Sequence, residues 1–302
     1  MAIDFSITSA VTPNGRTVFN AQRINSTEAK FNIGGKTRYE GNVGLFNTSV
    51  TDGITYKPED YATEYGFWAY FIYPTAMAES SGSFKCLNTY DRAQFTFSFM
   101  QYAAHVPNGD FVNFFKKLLQ LPNASEYFPK LVLSNNRIFY KSSNGTLSPL
   151  ENDSSSQALM DYLNPTLNDI ENQELICAAR FVHWATNDAS HRKTQVATAI
   201  DMYKENMKSY HKRYGLDNVP ANVCQMICDI RHQGRAKSDR IALALNTNGN
   251  YDKAFSNLCT IGDTNYQTRI NTVRSTIKKL TDLGKFSMKY DADSGEFVKI
   301  KE

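Results

Sequence analysis

The sequence predicts an α+β fold that is predominantly helical. Three observations carry this. Apolar residues recur at helical spacing over most of the chain beyond residue 157, polar alternating stretches are concentrated in the first 55 residues, and two further alternating runs flank Asp291-Ala-Asp-Ser-Gly295 near the end. No internal repeat is present.

Residues 1–55 are polar and rich in Thr, Asn and Gly, and stretches such as Thr17–Asn20 and Ala29–Ile33 read as a small β-rich N-terminal extension. The character changes at Pro58. From Glu59 to Ser80 the residues Tyr61, Tyr65, Trp68, Tyr70, Phe71 and Ile72 fall close to helical spacing, and Pro74 is expected to kink or end the first segment because it lacks an N–H donor. This stretch delivers Glu79 at or near its end. A second helix is predicted from Gly109 to Pro122, where Phe111, Phe114, Phe115, Leu118 and Leu119 make one apolar face. A strand at Arg137–Lys141 leads into the Ser- and Asn-rich stretch 142–157, expected to be an exposed loop at the junction of two lobes. Helices follow at 174–186, 193–214, 220–231, 238–245, 251–258 and 266–283, and the C-terminus reads as a β-hairpin. The division expected is thus an extension over 1–55 and one domain over 56–302.

Composition narrows the function. With 302 residues, 41% of them hydrophobic, the chain can bury a substantial core without disulfides or a metal. The 33 Lys and Arg against 30 Asp and Glu leave a charge of +3, too slight to argue for nucleic acid, whose binders depend on neutralising many phosphates. Cys86, Cys177, Cys224, Cys228 and Cys259 are irregularly spaced with no His or Cys cluster to complete a zinc pattern, so they read as buried or free thiols of a protein made in a reducing cytoplasm. No metal and no cofactor is expected. The start has no basic and apolar leader, and no stretch is apolar for long enough to span a bilayer. Neither a G-x-S-x-G elbow nor a glycine-rich phosphate loop occurs.

The informative stretch is Ala76–Phe115. Glu79 and Asp91 stand twelve residues apart across a Ser/Gly/Asn-rich loop, and a pair of carboxyl groups is what glycosidic hydrolysis needs, one to protonate the leaving oxygen and one to activate water or attack carbon. Two acids around a loop are common in any protein, so the pair alone does not decide the matter.

The run Glu79, then Asp91-Arg92-Ala93-Gln94-Phe95-Thr96, then Gly109-Asp110, resembles the catalytic region of the glycoside hydrolase family 46 chitosanases, in which a helix-end Glu is followed by an Asp and by an aromatic-Thr pair with Thr five positions after the Asp. Asp229, His232 and Gly234 are similar to the turn ending a central helix in those enzymes, and Asn248–Leu280 has the cadence of the closing helices of phage-type lysozymes. The sequence departs from the pattern at Ala93, where the family has Arg, and at Ser98, where it has Gly.

The resemblance, over residues 56–283, implies a two-lobed lysozyme/chitosanase-like domain and an inverting glycosidase. Glu79 would be the general acid, Asp91 the general base and Thr96 the residue that positions the water. Emerging from an aromatic helix, Glu79 is expected to be desolvated and held protonated. Tyr90, Arg92, Gln101, His232 and Trp184 are the candidates for holding sugar. Relatives of this fold include muramidase domains of bacterial toxins and phage lysins, so the expected substrate is the glycan strand of peptidoglycan, with chitosan as the alternative polymer and a non-catalytic wall-binding or virion structural protein as the alternative class. A toxin would be delivered to the periplasm of a target cell without a signal peptide and would require an immunity protein inserted into its cleft.

The same residues have plain structural readings. Glu79 can be a helix-end carboxylate satisfied by a neighbouring Arg, Asp91 a loop cap, Thr96 a strand residue, His232 a structural hydrogen-bonding group and Trp184 core.

Overall fold

The computed structural model describes residues 2–47 and 53–300. The fold is mixed α+β and mostly helical. The chain divides into two compact units, Met1–Thr55 with Ser83–Thr198 and Tyr56–Gly82 with Ala199–Glu302.

In the first unit β1 (Phe5–Val11), β2 (Thr17–Arg23), β3 (Phe31–Tyr39) and β4 (Asn42–Asn47) form an antiparallel meander. The chain then leaves for the second unit through α1 (Ala62–Tyr65) and α2 (Phe67–Ser80), and returns to add β5 (Leu87–Asn88), β6 (Thr96–Phe97) and β7 (Tyr102–Ala103) to the edge of β4. β1–β4, expected to form a separate N-terminal extension, are therefore not one. These four strands continue into one seven-stranded sheet with the strands that follow Glu79, with Phe46 opposite Asn88 and Asn47 opposite Leu87. An unpaired β4 would expose a row of backbone donors and acceptors, which this pairing satisfies. Gly44 permits the close approach, since a Cβ there would lie 2.6 Å from Thr89 Oγ1.

The unit continues with α3 (Asp110–Leu118), α4 (Ala124–Tyr127), the three-stranded sheet of β8 (Leu131–Ser134), β9 (Arg137–Lys141) and β10 (Leu147–Pro149), then α5 (Gln157–Leu163), α6 (Asn172–Asn187) and the start of α7 (Ala189–Tyr214); α3 packs on β7, α6 on β1 and β3, and α5 on α6. Phe95, Phe97, Phe111, Phe115 and Phe128 surround Phe181 at ring-centroid distances of 5.0–5.9 Å, which is aromatic packing range. The stretch 142–157 is not a junction between lobes. It lies within this unit, where Leu147 pairs with Lys141 and buried Glu151 bonds Lys116 at 3.1 Å and Arg137 at 2.9 Å. Those two cations make burial of the Glu151 charge tolerable.

In the second unit α2 continues through Pro74 instead of stopping at it. The lost backbone bond is outweighed by burial of Trp68, Phe71, Ile72, Pro74 and Thr75 along the helix, which packs on α11 (Asp263–Asp282) and α8 (Ala221–Gln233). The helix ends in a left-handed cap at Ser81 (φ 53°), where Ser81 N–H donates to Met77 O and Gly82 N–H to Ala76 O. That cap fixes Glu79 in the last turn. α9 (Ser238–Leu245) and α10 (Tyr251–Cys259) complete the helical part, and the predicted C-terminal hairpin forms from β11 (Met288–Asp291) and β12 (Glu296–Lys299). All five cysteines are buried free thiols. Among the described residues no helix is long and apolar enough to cross a membrane.

Candidate active site

Within the second unit, Glu79 is the end of a chain of buried charges. Its Oε1 accepts from the Arg269 guanidinium at 2.7 Å and faces His232 Nε2 at 3.3 Å. Arg269 also grips Asp229 at 2.8 Å, and Asp229 in turn holds Arg235 at 2.6 Å and accepts the Thr75 hydroxyl at 3.1 Å. Gln225 donates to Thr75 Oγ1 at 2.8 Å, which aims that hydroxyl at Asp229. Asp229 and Arg235 have fully buried side chains, whereas Glu79 keeps 15% of its side-chain surface and His232 14%. The elements explain the grouping. α2 supplies Thr75 and Glu79 one turn apart, α8 supplies Gln225, Asp229 and His232 on successive turns, and α11 supplies Arg269.

Two carboxylates face two guanidiniums, so the cluster is balanced with His232 neutral. Burial pushes the Glu79 carboxyl up, but the hydrogen bond from His232 and the positive charge of Arg269 outweigh it and lower the carboxyl to about 2. For His232 burial works against the charged form, and its hydrogen bond to Glu79 reverses this and raises its pKa. The sequence-based expectation of a protonated Glu79 is thus corrected. Desolvation acts as anticipated, but the ion pairs are stronger.

No family model, no curated protein and no solved structure matches the chain.

Asp91 and Thr96 belong to the first unit, Thr96 on β6 and Asp91 in the turn that joins β5 to β6. Asp91 Oδ1 accepts Ala93 N–H at 2.8 Å and Oδ2 accepts Asn88 Nδ2 at 3.0 Å. Asn88 stands directly opposite Thr96 across the β5–β6 pair, so the two side chains leave the same face. Asp91 therefore does cap its loop, and it does so while anchored to the neighbour of Thr96. Arg92 is exposed. Two positions beyond Thr96, Ser98 adopts φ 103°, a conformation suited to glycine.

Of the remaining predicted sugar contacts, Tyr90 is half-buried and its ring lies 5.9 Å from both Tyr39 and Phe46. Gln101 spends its amide N–H groups on the carbonyls of Cys86 and Ser98, at 3.2 and 2.9 Å, and acts as a brace for the loop. Trp184 does not offer a platform. It is fully buried, stacked on Tyr127 with centroids 4.7 Å apart, and its indole N–H donates to Asp188 at 2.9 Å. Sequence reasoning missed Arg269, Arg235 and exposed Tyr39. For Arg269 the reason is local: a charged side chain amid polar neighbours on a helix carries no mark in the sequence that it turns inward. Among the described residues, no group of three or more His, Cys, Asp or Glu side chains could hold a metal ion.

Proposed function

We propose that this chain is a glycoside hydrolase of the lysozyme/chitosanase kind, cleaving the glycan strand of peptidoglycan, with Glu79 as its essential carboxylate. The observation that carries the reading is the convergence of Arg269 and His232 on one oxygen of a helix-end glutamate that still reaches solvent. The buried Asp229–Arg235 pair behind Arg269 orients that guanidinium, and such support for a partly exposed carboxylate suits a group that must be aimed. The positive φ of Ser98, at the position of the family's Gly, supports the same reading.

Glu79 must acquire a proton before it can donate one to a leaving oxygen. With a pKa near 2, only about one molecule in a thousand would carry that proton at about pH 5. His232 is the group placed to lend it: transfer from the imidazolium to Oε1 converts an ion pair into a neutral pair, and Glu79 then acts as general acid. Asp91 serves as the base and Thr96 as the hydroxyl that positions water, in an inverting displacement. The wall polymer places the site of action in the periplasm of a target cell, and a toxin of this kind would be held inactive by an immunity protein in its producer.

A second reading is favoured by the same ion pairs, which would serve equally to hold Glu79 as a structural carboxylate of a protein that binds the wall without cutting it. The test is incubation of the wild type and Glu79→Gln with peptidoglycan sacculi and, separately, with chitosan, following reducing ends and product masses. Muropeptide release lost about a hundredfold in the variant supports the muramidase. Cleavage confined to chitosan transfers the mechanism to that polymer, and cleavage of neither by the folded wild type favours the wall-binding role.

A further inference from the structure

β1 is the first strand of the seven-stranded sheet and has a neighbour on one side only. Its pairing with β2 runs without a bulge from Phe5 opposite Arg23 to Val11 opposite Thr17. Just beyond the two ends of this ladder, Ile24 N–H donates to Asp4 O and Thr12 N–H to Arg16 O. These bonds place the even-numbered residues of β1 in hydrogen-bonded pairs with β2, so the N–H and C=O groups of Ile7, Ser9 and Val11 turn the other way. Ile3 follows the same alternation, and its outward N–H meets Glu126 O. Among the described residues, the backbone groups of Ile7, Ser9 and Val11 meet no such partner, and the side chains of Ser9 and Val11 stand in solvent, Val11 at 70% exposure.

Free sheet edges are commonly guarded by short strands, charges, prolines or bulges. At the opposite end of this sheet β7 is two residues long and is packed by α3. From Phe5 to Thr12, β1 has no charge, no proline and no bulge, so nothing along it repels an incoming strand. The strand is also complementary to itself. Antiparallel pairing of two copies about Ser9 joins the open groups in hydrogen-bonded pairs, Ser9 with Ser9 on the two-fold axis and Ile7 with Val11 on either side of it. Apolar residues then face apolar residues, and hydroxyl faces hydroxyl. Centring the pair on Thr8 would set Ile7 against Ser9, and centring it on Ile7 would set Val11 against Ile3, whose N–H is already bound.

We propose that β1 is a self-association edge, through which two copies of this chain pair antiparallel over Ile7–Val11 and join their sheets into one. The inference is independent of the glycosidase reading. So short an edge buries less than the roughly 1,200 Å² of a stable interface, which makes the dimer weak and dependent on concentration.

Sedimentation equilibrium of the full chain between about 1 and about 500 μM tests this, with an average mass that climbs from one chain toward two and a Kd of roughly 10–100 μM expected. Ser9→Lys/Val11→Lys sets like charges across the two-fold axis and removes both contacts between Ile7 and Val11, and should weaken the dimer at least about tenfold. Both positions are exposed, so the melting temperature should not move. The register is read by oxidising single-cysteine variants. Ser9→Cys faces its own copy with about 5.5 Å between Cα atoms, within disulfide reach, and should crosslink, whereas Val11→Cys faces Ile7 and should not. The native cysteines are buried and do not compete. A mass of one chain over the whole range overturns the proposal and leaves β1 as an edge for a strand of some other protein. A dimer that survives Ser9→Lys/Val11→Lys, or Val11→Cys that crosslinks as readily as Ser9→Cys, also overturns it, because the contact then lies elsewhere.

Discussion

Substitution of Glu79 by Gln tests the ion-pair cluster through stability as well as activity. Lowering of the carboxyl from 4.5 to about 2 corresponds to roughly 3 kcal/mol in favour of the native state at neutral pH. The sign is that of a depressed carboxylate: the contribution is present above about 4.5, where the unfolded chain is ionised, and is lost as pH falls through about 2. Gln removes the charge at every pH and leaves the buried guanidiniums of Arg235 and Arg269 facing Asp229 alone. The wild type is therefore expected to exceed the variant by roughly 2–4 kcal/mol at about pH 7. His232 adds to this on the acid side, since its raised pKa supplies stability below its ordinary 6.5 that is lost as pH rises through the raised value. The gap should thus be widest in mildly acidic solution and close steadily below about pH 4.5. Urea unfolding followed by fluorescence of buried Trp68 and Trp184 measures it across the pH range. A gap that does not change with pH, or a variant more stable than the wild type at neutral pH, would refute the pairing of Glu79 with Arg269 and His232.

Other outcomes follow from the same structure. Trp184→Ala should cost about 3–5 kcal/mol by emptying a fully buried site stacked on Tyr127, whereas Trp184→Phe should retain much of that; chemical denaturation of the two distinguishes a core residue from a sugar platform. At Ser98 both Gly and Ala remove the hydroxyl that accepts Met100 N–H, but only Gly relaxes at φ 103°, so Ser98→Gly should be more stable than Ser98→Ala by about 1 kcal/mol or more, and equal melting temperatures would count against strain there. Buried Glu174, whose Oε1 accepts Thr89 Oγ1–H and Leu45 N–H while Oε2 has no partner, is raised by burial to about 7. Such a carboxyl costs the native state nothing below about pH 4.5 and progressively more as pH rises toward about 7, so Glu174→Gln should raise the melting temperature at about pH 8 and leave it little changed at about pH 4, which differential scanning calorimetry can read.

Apolar periodicity, read along the chain, was enough to place helices that coincide closely with α3 and α6–α11, the strand β9 and the terminal hairpin, because each of these buries one face and repeats its apolar residues at its own period. Periodicity did not single out Glu79, Asp91, Thr96 and His232; the resemblance to the chitosanase pattern did, through residue types and spacings that local sequence can hold. What periodicity could not supply was the sheet that joins β1–β4 to β5–β7 across an intervening helix, since strand pairing between residues 46 and 88 leaves no periodic trace in either segment. Nor could it show that Pro74 sits inside a continuous helix, where burial outweighs a lost backbone bond, or that Trp184 is enclosed by Tyr127 and His191. The protonation state of Glu79 belongs to the same class. Burial of a carboxyl can be anticipated from aromatic neighbours, but its sign of charge is set by Arg269, 190 positions away and brought to 2.7 Å only by the packing of α2 on α11. Electrostatic energy depends on distance through space, and only the tertiary fold determines that distance.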